Sequence, residues 1–167
     1  FASEKISAAD IGYVFENLVR RFSESYNEEA GAHFTSRDII YLMSDLLVAG
    51  DESAFTGDGI SKTVYDMTMG TSQMLTCMEE RLKQMDADAD VTVFGQEFNP
   101  FTFGIAKADM LIRGGDPNNM QFGDTLSDDK FSGYKFDYII SNPPFGIPWK
   151  SEEKEVTAEF KKGTAGR

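Results

Sequence analysis

Asn142-Pro143-Pro144-Phe145 follows directly on the apolar run Phe136-Asp-Tyr-Ile-Ile-Ser141. The Asn142 side-chain oxygen and a backbone carbonyl of the Pro-Pro pair are two hydrogen-bond acceptors, and neither proline has an N–H to compete for them. Each proline also restrains the residue before it to extended backbone, which fixes the acceptors in place. Two acceptors side by side suit an amino group on an aromatic ring, such as the exocyclic amine of adenine. The lone pair of such a nitrogen is delocalised, and bonding both N–H groups draws it out of conjugation for attack on a methyl donor. Phe145 adds a flat apolar face for a base extruded from a duplex. Four such residues also make an ordinary turn with a core phenylalanine. Their place at the carboxyl end of a strand, where open parallel sheets bind ligands, together with the upstream residues, favours a site into which they project.

Upstream, Asp66-Met-Thr68-Met-Gly70-Thr71-Ser72 closes one apolar run and opens a helical one. Gly70 lets the backbone approach a ligand, and free N–H groups at a helix start can meet a ligand carboxylate. Alone, such a turn is commonplace. Glu97, just past the run Val91–Phe94, is placed to accept from both ribose hydroxyls of a nucleoside cofactor. Asp124, in Phe122-Gly-Asp-Thr-Leu126, can accept from an adenine amino group. The other reading of Glu97 is as a solvated loop carboxylate.

Other chemistry is poorly represented. His33 is the only histidine, so no histidine-based metal cluster or catalytic dyad can be drawn, and no metal site is expected. Cys77 falls on the apolar side of a helix and reads as core. The acidic stretch Asp86-Ala-Asp-Ala-Asp90 lacks the glycine and glutamate of a calcium loop and reads as a solvated turn.

The elements that must position these residues follow from periodicity. Ile11, Val14, Phe15, Leu18, Val19 and Phe22 recur at helical spacing over residues 8–22 and predict one buried stripe. A second helix should begin after Thr35, with Ser36 as N-cap and Ile39, Ile40, Met43, Leu46 and Leu47 inward. Residues 50–59 read as a loop. Beyond it, short apolar runs alternate with helices, the pattern of β-α-β units. Strands are expected over 63–65, 91–94 and 136–140, with a weaker one over 120–122. Helices are expected over 73–85, with Met74, Leu75, Met78 and Leu82 inward, and over 101–112, with Phe101, Ile105, Ala108 and Ile112 inward. Residues 150–167 show no apolar periodicity and read as a loop. The fold class is α/β, a doubly wound, Rossmann-like parallel sheet preceded by a helical lead, with units at 1–57 and 58–167. A sheet stopping there would expose an edge, so further strands are expected to follow.

The 167 residues, 41% of them hydrophobic, suffice for a genuine core. One cysteine cannot form an internal disulfide, and no apolar run is long enough for a signal peptide or a membrane span, so a cytoplasmic protein without membrane partners is expected. The formal net charge of -12 runs against unaided nucleic-acid binding, which needs lysine and arginine to neutralise phosphates. Either the substrate is not nucleic acid, or the basic surface lies on other segments or another subunit.

Taken together, these blocks resemble the modification subunit of type I restriction-modification systems, adenine-N6 DNA methyltransferases that use S-adenosylmethionine. The resemblance runs from about Ile11 to Arg167. Glu29-Ala-Gly31-Ala-His33-Phe34-Thr35-Ser36-Arg37 is similar to a block usually ending Phe-Tyr-Thr-Pro-Arg, which helps hold the methionine part of the cofactor; Ser36 replaces proline. Asp66, Gly70, Thr71 and Ser72 meet the pattern Asp-Pro-x-x-Gly-[Ser/Thr]-[Gly/Ala], with Met67 in place of proline and Ser72 in place of a smaller residue. Gly95-Gln-Glu97-Phe-Asn99 is similar to the ribose-binding block, and Asn142–Phe145 matches the catalytic block in full. The resemblance implies catalytic roles for Asn142, Pro143, Pro144 and Phe145. It implies cofactor roles for His33, Phe34, Thr35, Ser36, Arg37, Asp66, Thr68, Gly70, Thr71, Ser72, Glu97 and Asp124. It also implies a complex with a specificity subunit that carries DNA recognition, a second modification subunit and a restriction subunit, which accounts for the acidic charge. Similar Asn-Pro-Pro-aromatic motifs serve methylation of protein glutamine and RNA bases, and a non-catalytic assembly module could retain the fold.

Overall fold

The computed structural model describes Ile11, Val14, Asn17, Leu18 and Arg21, and residues 35–146 and 148–161. Four strands, β1 (Ser61–Asp66), β2 (Asp90–Glu97), β3 (Met120–Phe122) and β4 (Tyr138–Ile139), pair in parallel in the order β3-β2-β1-β4. The chain steps outward from β1 to β3, then returns to add β4 on the far side of β1. That reversal opens a crevice at the carboxyl ends of β1 and β4, the place where open α/β sheets bind ligands. The α/β, Rossmann-like class expected from the alternation is the one observed.

Register follows from burial. Val64 lies opposite Val93 on one side and Tyr138 on the other, and all three are buried. β2 runs three residues past its apolar stretch because Gly95, Gln96 and Glu97 are buried too. At Gly95 a Cβ would stand 2.3 Å from Met69 Sδ, so the strand passes under the Met69 side chain only as glycine.

From residue 35 onward the helices are α1 (Arg37–Val48), α2 (Gln73–Met85), α3 (Pro100–Ile112) and α4 (Glu153–Lys161), with short 3-10 turns at Glu52–Phe55 and Pro117–Asn119. The inward face of α2 is the expected one: Met74, Leu75, Met78 and Leu82 are buried, as is Cys77. Each such side chain contributes about 1.5–3 kcal/mol through the area it removes from water. Among the described residues, no helix is long and apolar enough to cross a membrane.

Two helix faces differ from expectation. In α1, Ile40, Ser44 and Val48 are buried, whereas Ile39, Leu46 and Leu47 are exposed. This helix carries apolar residues around most of its circumference, so spacing alone does not select the inner face. The selected face includes Ser44, whose hydroxyl donates to Ile40 O at 2.9 Å. Ser36 stands at the N-cap position, but its side chain makes no capping bond. In α3 the buried residues are Thr102, Ala106, Asp109 and Met110, one position on from the expected stripe, and Phe101 is exposed. The polar members explain the shift. Asp109 Oδ2 accepts from Ser72 Oγ, Thr76 Oγ1 and Arg113 Nε at 3.3, 3.4 and 2.9 Å, an anchor between α2 and α3 that an apolar pattern does not register.

Ile11, Val14 and Leu18 are helical, as their spacing predicts, but they are exposed and form no buried stripe. Phe15, Val19 and Phe22 lie outside the described residues. The expected loop over 150–167 instead contains α4. Glu153 and Glu155 in its first turn favour the positive end of the helix dipole, and Val156 is its one half-buried apolar side chain. Residues 162–167 lie outside the described residues.

Candidate functional site

A cavity of about 620 Å³ opens at the carboxyl ends of the strands. Its floor is the end of β1. Asp66 is fully buried there, and its Oδ1 accepts from the Thr68 N–H at 2.9 Å and from Ser141 Oγ at 2.8 Å. Thr68 Oγ1 and Ser141 Oγ are 2.6 Å apart, so two hydroxyls and one carboxylate oxygen tie β1 to the segment that leads into Asn142. Asp66 Oδ2 is buried and has no partner. Burial pushes the Asp66 carboxyl from 3.8 up to about 7, against the hydrogen bonds from Thr68 and Ser141 and with help from the nearby Glu97 charge.

The turn from β1 into α2 is secured from below. Gly70 has φ +56, and its N–H donates to Glu97 Oε2 at 2.9 Å. Met69 N donates to Gln96 O at 3.0 Å, and Ser72 N to Met69 O at 2.8 Å. The N–H groups of Thr68, Met69, Gly70 and Ser72 are thus used inside the protein. Their role is to hold the turn rigid beside the cavity.

Glu97, the last residue of β2, accepts from Asn99 N at 2.8 Å through Oε1. Each of its oxygens uses one lone pair in these bonds and keeps another for a ligand hydroxyl. Asn99 in turn caps α3, accepting from Phe101 N and Thr102 N at 2.9 and 3.2 Å. Asp124, past β3, accepts from Leu126 N at 2.9 Å and Ser127 Oγ at 3.2 Å and lines the cavity wall. That wall is held by two residues the sequence reading passed over. Thr125 Oγ1 donates to Met67 O at 2.6 Å. Fully buried Gln96 clamps the loop after β3, donating to Asp128 O at 2.8 Å and accepting from Lys130 N at 3.0 Å.

The cavity brings together Thr35, Asp66, Thr68, Gly70, Thr71, Glu97, Asp124, Asn142, Pro143 and Pro144. Other expected members stand outside it. Ser72 is buried with φ +70 and turns to Asp109. Arg37 bonds Tyr41 and lies 3.6 Å from Glu80, and Ser36 does not line the space. Phe145 is 88% exposed and does not project into the cavity; Pro148, Trp149, Ser151 and Glu152 line it from the same segment instead. The positive-φ turn beside it, at Gly146, leaves this loop's direction to backbone conformation, which residue types alone do not specify. His33 and Phe34 lie outside the described residues. No cluster of His, Cys, Asp and Glu suited to a metal ion occurs among the described residues.

Known proteins share both sequence and fold. The chain is 29% identical over 143 residues to the type I restriction enzyme HindI methylase subunit of Haemophilus influenzae, covering 84% of this chain and 30% of that protein. It is 26% identical over 135 residues to the type I restriction enzyme MjaIX methylase subunit of Methanocaldococcus jannaschii, covering 80% and 22%. Among solved structures, the type I restriction-modification system methyltransferase subunit of Streptococcus thermophilus matches with a TM-score of 0.66 at 28% identity, over 85% of this chain and 29% of that one. The chain therefore spans between about a fifth and a third of the length of these relatives. The N-6 DNA methylase family model matches residues 7–166, and with a parallel sheet whose reversal point gathers Asp66, Glu97 and Asn142 in one cavity, this chain belongs to that family.

Proposed function

We propose that the chain is the cofactor- and base-binding part of an S-adenosylmethionine-dependent methyltransferase that modifies adenine N6 in DNA. The observation that carries this reading is one cavity in which Asn142 and Pro143, acceptors for an amine, face the same space as Glu97 and Asp66. The cavity volume falls within the roughly 300–1,000 Å³ of small-molecule and cofactor sites.

The residues fit the cofactor. Asp66 Oδ2, buried and without a partner, is an acceptor suited to an ammonium group, and the spare lone pairs of Glu97 suit a ribose diol. Asp124, on the cavity wall, is the acceptor we assign to an adenine amine. When bound, S-adenosylmethionine supplies a methyl group activated by sulfonium charge. The chain's own contribution is orientation: Asn142 Oδ1 and a Pro-Pro carbonyl accept the two N–H bonds of the substrate amine and expose its lone pair. The net charge of -12 leaves phosphate binding to other surfaces, which we assign to a specificity subunit joined with two modification subunits and a restriction subunit.

The test is calorimetric binding of S-adenosylmethionine to the full-length protein, followed by transfer of labelled methyl groups to DNA, RNA and protein substrates. The reading expects binding that Gly70→Asp weakens and DNA labelling that Asn142→Ala abolishes. Labelling of RNA or protein in place of DNA would change the substrate, and absence of binding by folded protein would point to an assembly module.

A further inference from the structure

Asn142 is held by a residue from a distant block of the chain. Its Nδ2 donates to Thr35 Oγ1 at 3.0 Å across 107 residues, and both residues line the cavity. A carboxamide has a donor end and an acceptor end of nearly the same shape, and a half-turn about its last bond exchanges them. Only the orientation with Oδ1 toward a substrate amine supplies an acceptor; the reverse sets N–H against N–H. Asn142 is exposed and stands outside regular secondary structure, so close packing does not choose between the two. The Thr35 hydroxyl could accept from Nδ2 or donate to Oδ1, so its bond holds the carboxamide in place, and a substrate N–H at the other end completes the choice of the orientation seen, with Nδ2 on Thr35.

We propose that Thr35 is a positioning residue for methyl transfer, holding the Asn142 carboxamide by its Nδ2 end while Oδ1 meets the substrate amine. This rests on the reading of Asn142 as the amine acceptor, and it gives Thr35 a task in place of the cofactor contact that the resemblance implies. Thr35 is itself well anchored. It immediately precedes the N-terminal end of α1, where Arg37 bonds Tyr41 OH at 3.3 Å and Tyr41 donates to Glu80 of α2 at 2.9 Å. The hydroxyl is thereby tied to the body of the domain while Asn142 sits on a loop.

The experiment measures single-turnover methyl transfer by the full-length protein in its complex, at saturating labelled S-adenosylmethionine, with cofactor affinity measured separately by calorimetry. Thr35→Val keeps the shape and loses the hydroxyl. It should slow transfer about tenfold, equivalent to about 1.4 kcal/mol, with cofactor affinity changed by less than about twofold; Thr35→Ser should restore the rate. A valine variant that binds cofactor about tenfold more weakly yet transfers at the wild-type rate once saturated makes Thr35 a cofactor contact and overturns the proposal. Equal transfer rates in all three proteins overturn it as well. Asn142→Ala separates the deeper failure: wild-type transfer by that variant removes the reading of Asn142, and the role of Thr35 with it.

Discussion

Glu97 joins the turn after β1 to the end of β2 by accepting the Gly70 N–H at 2.9 Å. Its other oxygen accepts from Asn99 N, so one carboxylate braces two loops on the cavity rim. Glu97→Ala should remove both braces and any ligand contact. We expect S-adenosylmethionine affinity to fall at least tenfold and stability to drop by about 1–3 kcal/mol, the desolvation cost of the two N–H groups left behind. Glu97→Gln keeps one acceptor and should fall between. Calorimetry and thermal unfolding of the same samples read both effects, and unchanged affinity in the alanine protein would remove Glu97 from the cofactor site.

Asp66 should make stability depend on pH in the direction opposite to a paired carboxylate. Its folded value, about 7, lies above the ordinary 3.8 because burial disfavours charge. A raised folded value contributes stability in full below about pH 4 and loses it as pH rises through about 7. Asp66→Asn, which cannot ionise, should therefore gain on the wild type between pH 5 and pH 8, by on the order of 1–4 kcal/mol. Melting temperatures across that range check this; parallel curves for the two proteins would contradict it.

Gly95→Ala tests the passage of β2 beneath Met69. The new Cβ would stand 2.3 Å from Met69 Sδ and 3.0 Å from both Met69 Cβ and Leu75 Cδ1. The sulfur can move, but Met69 is 3% exposed and the other two atoms are fixed by their own packing. Overpacking of this kind costs about 1–3 kcal/mol. Chemical denaturation should show that loss, accompanied by weaker cofactor binding because Met69 belongs to the turn beside Asp66.

Ser72 adopts φ +70, a conformation that costs a side-chain-bearing residue roughly 1–2 kcal/mol relative to glycine. Its hydroxyl donates to Asp109 at 3.3 Å. Both Ser72→Ala and Ser72→Gly lose that bond, but only glycine relieves the backbone. The glycine protein should be the more stable of the two by about 1 kcal/mol in denaturant titrations. The reverse order would mean that the turn adjusts to the alanine side chain.

Much of the architecture was legible because the sheet is made of short apolar runs, such as Val91–Phe94, separated by helices whose buried face is mostly apolar, as in α2, where Thr76 is the exception. The reading failed where polarity and burial part company. Asp109, Gln96 and Glu97 are all buried, each with a partner far along the chain, and no periodicity marks such partners. Asp66, Gly70, Glu97 and Asn142 could be singled out as candidates by residue type and by position at a strand end, and all four line the cavity. The direction of Phe145 and the entry of Trp149 into the cavity wall were not legible, since backbone conformation in a loop decides them. The turn from β1 was identified by its glycine, while the use of its N–H groups depended on Glu97 and Gln96 arriving from the neighbouring strand.

Gln96 grips the connection between β3 and β4 by its main chain, at Asp128 O and Lys130 N. Such a grip does not read the side chains at those two positions. They are free to change sign or size as a neighbouring surface demands, while the wall at residues 124–126 keeps its place. One buried carboxamide thus separates what this loop shows to its surroundings from what it supports behind, so the outer face can diversify without retuning the chemistry within.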